Sequence, residues 1–571
     1  MTYRHFKYEG WLYALAFLFA IALRFIQLGA MPLTDAEAGP ALQALHIAQG
    51  LKPALDPHPL YILFTSVLFF VYGSGTDFLA RLIPALMGSA LVFVPLLFAD
   101  RIKPRAALVL AFFIALDPGL VALSRQVASP ILAIASLLFA LGFYNKNKPA
   151  LAGSFAALAL LSGPSIWSGV LGLAVAWGIL RLVNSRRAPI EQEDGSDTNH
   201  RVQPLTREAL IPFAVTFLVA GSLFFIVPNG LSAALASVPA FIGSWLSVAF
   251  VPVGRLLFSF LVYQPLGILL AIFAIVRGWR TGSRRIVPLS IWFFIVLLLA
   301  VLNPSRQFAD LAWALIPLWA MAALELIRNM YVFFEERKEV AGVVFLTAFI
   351  WTFAWLDFAG LTTLPVESRE YVMRFWRLFG SLFLLVMSLL LVAAGWSIRI
   401  ARIGGIWGMA LALGVLGLGG AVGAAGLRGQ AFPELWWLPE QPVHARLLES
   451  TVSDISEWGL GDDHAAAVTI VGMDSPALEW TLRERRVFNV QSLDSSSTPE
   501  LVITPLQDNP VLSSAYRGQD FAWRQTPLWD VTVPQDWIRW VALRQMPTSG
   551  ETLILWARDD LFLNSVSVTN P

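Results

Sequence analysis

The chain has 571 residues, 57% of them hydrophobic and only 14% charged, with 40 basic residues against 39 acidic ones and no cysteine. Its mean hydropathy of +0.66 is more than a water-soluble globule needs and places it among integral membrane proteins. A formal charge of +1 gives no reason to expect a nucleic-acid partner, and the lack of cysteine excludes disulfides, thiolate catalysis and thiolate metal ligands.

Apolar runs predict spanning segments at 11–29, 58–73, 78–98, 106–122, 130–145, 149–162, 164–182, 209–228, 256–277, 286–302, 308–326, 339–357, 376–396 and 404–425. A hydrocarbon core roughly 30 Å thick leaves their backbone groups no partners but their own, so a packed helix bundle follows. The first run lacks a small-residue cleavage pattern and reads as a retained helix. Basic clusters at Arg101/Lys103/Arg105, Lys146/Lys148, Arg181/Arg186/Arg187, Arg280/Arg284/Arg285, Arg337/Lys338 and Arg399/Arg402 mark cytoplasmic ends. Counting from them puts 229–255, 303–307, 358–375 and everything after 426 on the extracytoplasmic side. With Arg4 and Lys7 inside, loop 30–57 lies outside, and 58–98 must then make an odd number of crossings, which points to a re-entrant segment or a misleading charge cluster.

From about residue 440 the pattern changes to short apolar strands at 467–471, 486–490, 499–504 and 551–556 among Ser-, Pro- and acid-rich turns. Leu447, Leu448 and Ile455 share one face of a predicted helix over 444–459, with Gly459 as its stop. The expected architecture is an all-α polytopic membrane bundle over 1–430, followed by a small extracytoplasmic α/β domain over 440–571.

Asp35 and Glu37 fall just beyond the first apolar run, between Pro32 and Gly39-Pro40. A carboxylate at a membrane face can take a proton from an acceptor hydroxyl or hold a cation, although acids after a membrane helix are also ordinary surface groups. His58-Pro59-Leu60-Tyr61 opens the second run, Arg81-Leu82-Ile83-Pro84 the third, and Ser124-Arg125-Gln126-Val127-Ala128-Ser129-Pro130 divides the fourth from the fifth. A guanidinium matches phosphate oxygens with forked donors, but arginines at helix ends also snorkel; a structural pair is the preferred reading for Arg81, and both stay open for Arg125. His58 reads as a packed loop imidazole or an active-site donor. Arg306 and Asp310, four apart, would share a helical face as an ion pair, or Arg306 would grip a lipid phosphate with Asp310 fixing its direction. In the C-terminal region, 515–523 and 537–540 carry Tyr and Trp beside polar groups, better explained as core or docking than as a sugar shelf. Trp436 and Trp437 read as interface anchors, and glycine-rich 414–426 as close helix packing.

The order of Asp35/Glu37, His58-Pro59-Leu60-Tyr61, Arg81 with Pro84, and Ser124-Arg125-Gln126-Val127 resembles the polytopic glycosyltransferases of the GT-C class, especially the protein mannosyltransferase and aminoarabinose transferase (family 39-like) branch, with related oligosaccharide-assembly proteins. The acids are separated by Ala36 where the mannosyltransferase pattern has them adjacent, and Ser129 stands where an acid is frequent. The resemblance implies a multi-pass enzyme of the cell membrane, a hexosyl- or pentosyltransferase that moves a sugar from a polyprenyl-phosphate donor to a glycan, lipid or protein acceptor on the outer face. It implies Asp35 as base with Glu37 its acidic neighbour, Arg125 and Arg306 as donor-phosphate contacts, and His58, Arg81 and Asp310 in support. A divalent cation between the paired acids is possible chemistry but two carboxylates do not establish it. The alternatives are a flippase or transporter for polyprenyl-linked glycans and a noncatalytic envelope-assembly scaffold.

Overall fold

The computed structural model describes residues 6–185, 207–248, 251–429, 431–494, 496–506 and 512–566. Helices run from Phe6 to Ala424, and the strands of one six-stranded sheet fall between Gln441 and Arg558. Every predicted apolar segment is helical over most of its length, an all-α polytopic bundle followed by an α/β domain. By length and composition six helices can cross a membrane, or eight if each of two bent pairs counts as one span, among the described residues. Helix Pro59–Tyr72 has only 14 residues, a rise of about 21 Å, so it falls short of the hydrocarbon thickness in the region where the crossing count came out odd.

The bends have local causes. Pro118 and Pro265 break their spans by 59° and 91°, because proline offers no N–H to the preceding turn. At the first break the carbonyls of Ile114 and Ala115 receive the fully buried Arg24 guanidinium at 3.1 and 3.0 Å. Asp117 caps the second half by accepting from the Leu120 N–H at 2.7 Å, and it also accepts from Gln264 at 3.2 Å and Trp319 at 2.8 Å. Gln264 occupies the other break, so one buried carboxylate ties the two broken spans together.

Two helices lie where connections were expected, at Asp35–Ala48 and Asn229–Ser244. The first is nucleated by a capping box: Thr34 precedes the helix and the Glu37 carboxylate reaches back to the Thr34 N–H at 3.2 Å. Loop 30–57 is therefore a shaped helix and turn, not an open connection.

In the α/β domain the strands are β1 Gln441–Pro442, β2 Val468–Val471, β3 Val487–Val490, β4 Leu501–Pro505, β5 Tyr516–Pro527 and β6 Thr548–Arg558, in spatial order β1-β5-β6-β4-β2-β3. β2 pairs in parallel with β3 and β4, and the other pairings are antiparallel. The continuous apolar run of β4 is buried over Leu501–Thr504 and forms the sheet centre. Helix Ala445–Leu460 ends at Gly461, in the left-handed region at φ +78°, rather than at Gly459, which packs inside the last turn against Leu561. β5 covers the predicted aromatic stretch 515–523 and buries Phe521 and Trp523 in the core, while Trp540 of helix Pro534–Leu543 is likewise buried.

The domain sits directly on the bundle. Trp480 packs against Phe69 at 5.9 Å between ring centroids and donates to Asp77 at 2.7 Å. Arg483 donates to the Gly75 carbonyl at 2.8 Å, and Arg446 to those of Gly29 and Ala30 at 3.0 and 3.1 Å. On the other side Trp540 donates to the Pro433 carbonyl at 2.8 Å, while Tyr263 donates to the buried Glu434, whose ion pair with Arg544 is 3.3 Å long. Burial pushes the Glu434 carboxyl up, and Arg544 opposes that rise. Trp436, expected at a membrane interface, is instead buried beneath this joint, its ring 6.3 Å from that of Tyr263.

Candidate active site

Asp35 and Glu37 occupy the first and third positions of their helix. Residues two apart are rotated by roughly 200° at the helical period, so their side chains leave in different directions. Glu37 turns inward, where Arg81 grips it through Nε to Oε1 at 3.0 Å and Nη2 to Oε2 at 2.7 Å. Its remaining capacity is taken by the Thr34 N–H, the Thr34 hydroxyl at 3.3 Å and the Val127 N–H at 3.2 Å. Arg81 also donates to the carbonyls of Leu28, Met31 and Pro32 at 3.4, 2.5 and 3.1 Å, which employs all its nitrogens. The Arg81–Glu37 pair thus pins the chain leaving the first helix to the third apolar segment and to the turn after Arg125.

Asp35 turns the other way, toward the α/β domain. Its Oδ1 accepts from the Ser475 hydroxyl at 2.7 Å and the Ala477 N–H at 2.9 Å, and its Oδ2 accepts from Arg524. The side chain keeps 23% of its exposure. With the two carboxylates serving separate partners, the pair does not fit a shared divalent cation.

Arg125 donates through Nη1 to the carbonyls of Leu23, Arg24 and Ile26 at 3.1, 3.0 and 2.9 Å, and through Nη2 to that of Gln27 at 2.9 Å. Leu23 and Arg24 belong to the last turn of helix Phe6–Phe25, whose carbonyls lack intrahelical partners, and Ile26 and Gln27 to the turn that follows it. Burial first, then the Arg81 charge, pushes its guanidinium down to about 10, so it stays cationic at neutral pH. Arg125 is half-buried and, with Arg81, faces a small cleft lined also by Glu37, Gln126, Trp437 and Gln441. The cleft opens between the first loop, the turn after Ser124 and the segment leading into β1.

The other predicted residues lie elsewhere. His58 precedes helix Pro59–Tyr72 and packs against Gly163, with Nδ1 buried and without a hydrogen-bond partner among the described residues. Burial, opposed by Asp56, pushes its imidazole down to about 4. Arg306 and Asp310 do not pair. Arg306 donates to the Val251 and Asn303 carbonyls at 2.8 and 3.2 Å, while Asp310 accepts from the Gln307 N–H at 2.9 Å. The four-residue spacing presumes an α-helix across 306–310, but the chain there makes a 3₁₀ turn that Asp310 caps. Asp310 lines a separate small crevice with Asn303, Trp245 and Trp313.

No protein-family model matches the chain, and no curated protein matches it in sequence. Its backbone is similar over 98% of its length, and 99% of the other chain, to the crystal structure of ArnT from Cupriavidus metallidurans bound to undecaprenyl phosphate, with TM-score 0.53 and 14% identity. The chain has a GT-C-like fold. The apo state of the same ArnT gives TM-score 0.50 over the same shares of both chains, again at 14% identity. The structure brings Glu37, Arg81 and Arg125, all singled out from sequence, to one cleft, where Trp437, read as an interface anchor, joins them; Ser475 and Arg524, on which sequence reading is silent, reach Asp35 through the docking of the α/β domain. The single local clue overlooked was Thr34-x-x-Glu37, the capping-box signature that identifies Glu37 as a structural acid.

Proposed function

We propose that this protein transfers a sugar from a polyprenyl-phosphate donor to an envelope acceptor on the extracytoplasmic side, with inversion at the anomeric carbon. The observation that carries this reading is the cleft in which Arg125, with Nε and half of Nη2 uncommitted to protein acceptors among the described residues, lies beside the Glu37–Arg81 pair. The fold similarity to a transferase bound to undecaprenyl phosphate supports it. Arg125 steadies the departing phosphate, whose charge matches its forked donors. Asp35 takes the acceptor proton as the acceptor oxygen attacks the sugar carbon. Glu37 and Arg81 tie the segment that carries Asp35 to the turn that carries Arg125, and His58, Arg306 and Asp310 act outside the reacting centre. The alternating basic clusters support the outward placement of 440–571, and Arg4 with Lys7 that of the first loop.

The test is sugar release from a synthetic polyprenyl-phosphate sugar by the purified chain. Asp35→Asn is expected to abolish turnover while leaving donor affinity intact, and Arg125→Gln to weaken donor binding. Unchanged turnover in Asp35→Asn refutes the reading.

A second reading is a noncatalytic assembly scaffold, favoured by the observation that both first-loop acids are engaged by protein partners. It expects partner capture to depend on 440–571 and Asp35→Asn to leave envelope assembly unchanged.

A further inference from the structure

Two features of the α/β domain meet at Asp35, and neither lies in the helical bundle. Ser475 and the Ala477 N–H fill Oδ1, while Arg524 reaches Oδ2. A carboxylate oxygen has two acceptor directions. Oδ1 is therefore complete, and Oδ2 retains one direction, consistent with the 23% exposure of the side chain. The carboxylate is oriented on one oxygen and open on the other.

The sheet register connects this point to the cleft. Arg524 pairs across the β1–β5 ladder with Pro442, and its neighbour Gln525 pairs with Gln441, which lines the cleft beside Arg125. Successive strand positions are about 3.3 Å apart and point to opposite faces, so Arg524 sits one position along from the cleft-side Gln441–Gln525 pair, with its side chain on the other face of the sheet, toward Asp35. A register shift between Ala522 and Arg524 immediately precedes it, and such bulges re-aim side chains. Arg524 is held from the domain side by Glu551 at 3.1 Å and, more loosely, Glu440 at 4.0 Å, so its direction is fixed by the sheet rather than by Asp35 alone.

We propose that the reacting centre is composite: Ser475 and Arg524 of the α/β domain are positioning residues that aim the open Oδ2 of Asp35 at an acceptor hydroxyl entering along the seam between the domain and the first loop. This rests on the sugar-transfer reading and extends it, because it assigns the acceptor path to the domain seam and the donor phosphate to the Arg125 cleft. The proton leaves the acceptor hydroxyl for Oδ2, the acceptor oxygen bonds to the sugar carbon, and the bond from that carbon to the phosphate oxygen breaks with its electron pair going to the polyprenyl phosphate.

The test uses the full chain in detergent with Ser475→Ala, Arg524→Gln, Arg524→Lys and Asp35→Asn. Two measurements are made: transfer kinetics with a polyprenyl-phosphate sugar, and carbodiimide-driven amidation of Asp35 followed by peptide mass spectrometry. The seam expects kcat to fall about tenfold in Ser475→Ala and further in Arg524→Gln, with donor KM unchanged, a partial recovery in Arg524→Lys, and no added loss when Arg524→Gln is combined with Asp35→Asn. It expects Asp35 amidation to quicken severalfold in Ser475→Ala and Arg524→Gln, while protease resistance of the 425–445 junction stays that of the parent. Parental kcat in Ser475→Ala and Arg524→Gln, beside an inactive Asp35→Asn, overturns the composite centre and leaves sugar transfer standing. An active Asp35→Asn, or no transfer by the parent chain, overturns both. Unchanged amidation overturns the positioning role whatever the kinetics show.

Discussion

Replacing Glu37 with Gln tests whether the buried Glu37–Arg81 pair is a structural pin. The substitution is nearly isosteric, but the amide nitrogen must face donors on either side: Arg81 Nε and the Val127 N–H, or Arg81 Nη2 and the Thr34 N–H and hydroxyl. At least two hydrogen bonds turn repulsive, one of them to a charged group, and the guanidinium is left without its counter-ion at 5% exposure. Losing one partner of a buried pair costs about 3–5 kcal/mol, and charge-assisted hydrogen bonds at about 1.5–3 kcal/mol each give the same range. Equilibrium unfolding of the detergent-solubilised protein, followed by tryptophan fluorescence, measures it. The double variant Glu37→Met/Arg81→Met is expected to recover only part of the loss, because the carbonyls of Leu28, Met31 and Pro32 lose their donor with the arginine. A cost below about 1 kcal/mol in Glu37→Gln, the range of an exposed surface pair, refutes the reasoning.

Further outcomes follow from neighbouring geometry. Gly163 sits at φ +118°, and a Cβ there would lie 2.4 Å from His58 Cδ2; Gly163→Ala is expected to destabilise by about 2 kcal/mol or more, and a neutral result in the same unfolding assay contradicts the packing. The His58 imidazole is pushed down to about 4 from an ordinary 6.5, so the folded state binds fewer protons than the unfolded one between those values. Its contribution is whole above about pH 6.5 and is lost as the pH falls through about 4, amounting to about 2 kcal/mol after discounting for the residue's partial exposure. His58→Gln should flatten that part of the stability curve, and an acid loss equal to the parent's excludes His58 as its source. Trp480→Ala removes the contact with Phe69 and the hydrogen bond to Asp77, a loss of about 3–5 kcal/mol for a buried tryptophan. Faster proteolysis of the 425–445 junction reads it out, and parental resistance argues that the domain is held by its other contacts.

The sequence by itself determined the membrane class, the helical segments and the α/β character of the C-terminal region, because hydropathy and strand-length apolar runs are local properties of the chain. It also picked out Asp35, Glu37, Arg81 and Arg125. It did not tell how they divide. Asp35 and Glu37 look like one acidic pair in the string, yet the helix that starts at Asp35 sends them to opposite sides, one to Arg81 and one to Arg524. Arg306 and Asp310 look like an ion pair only if the backbone between them is α-helical, and a 3₁₀ turn separates them. Ser475 and Arg524 lie 440 and 489 residues beyond Asp35, and no local pattern anticipates that docking. Partnership of a charged group is decided by which surfaces the tertiary fold brings within hydrogen-bond reach, since burying a charge is tolerable only where donors and acceptors converge on it. That convergence belongs to the packing of the sheet on the bundle, not to any stretch of sequence.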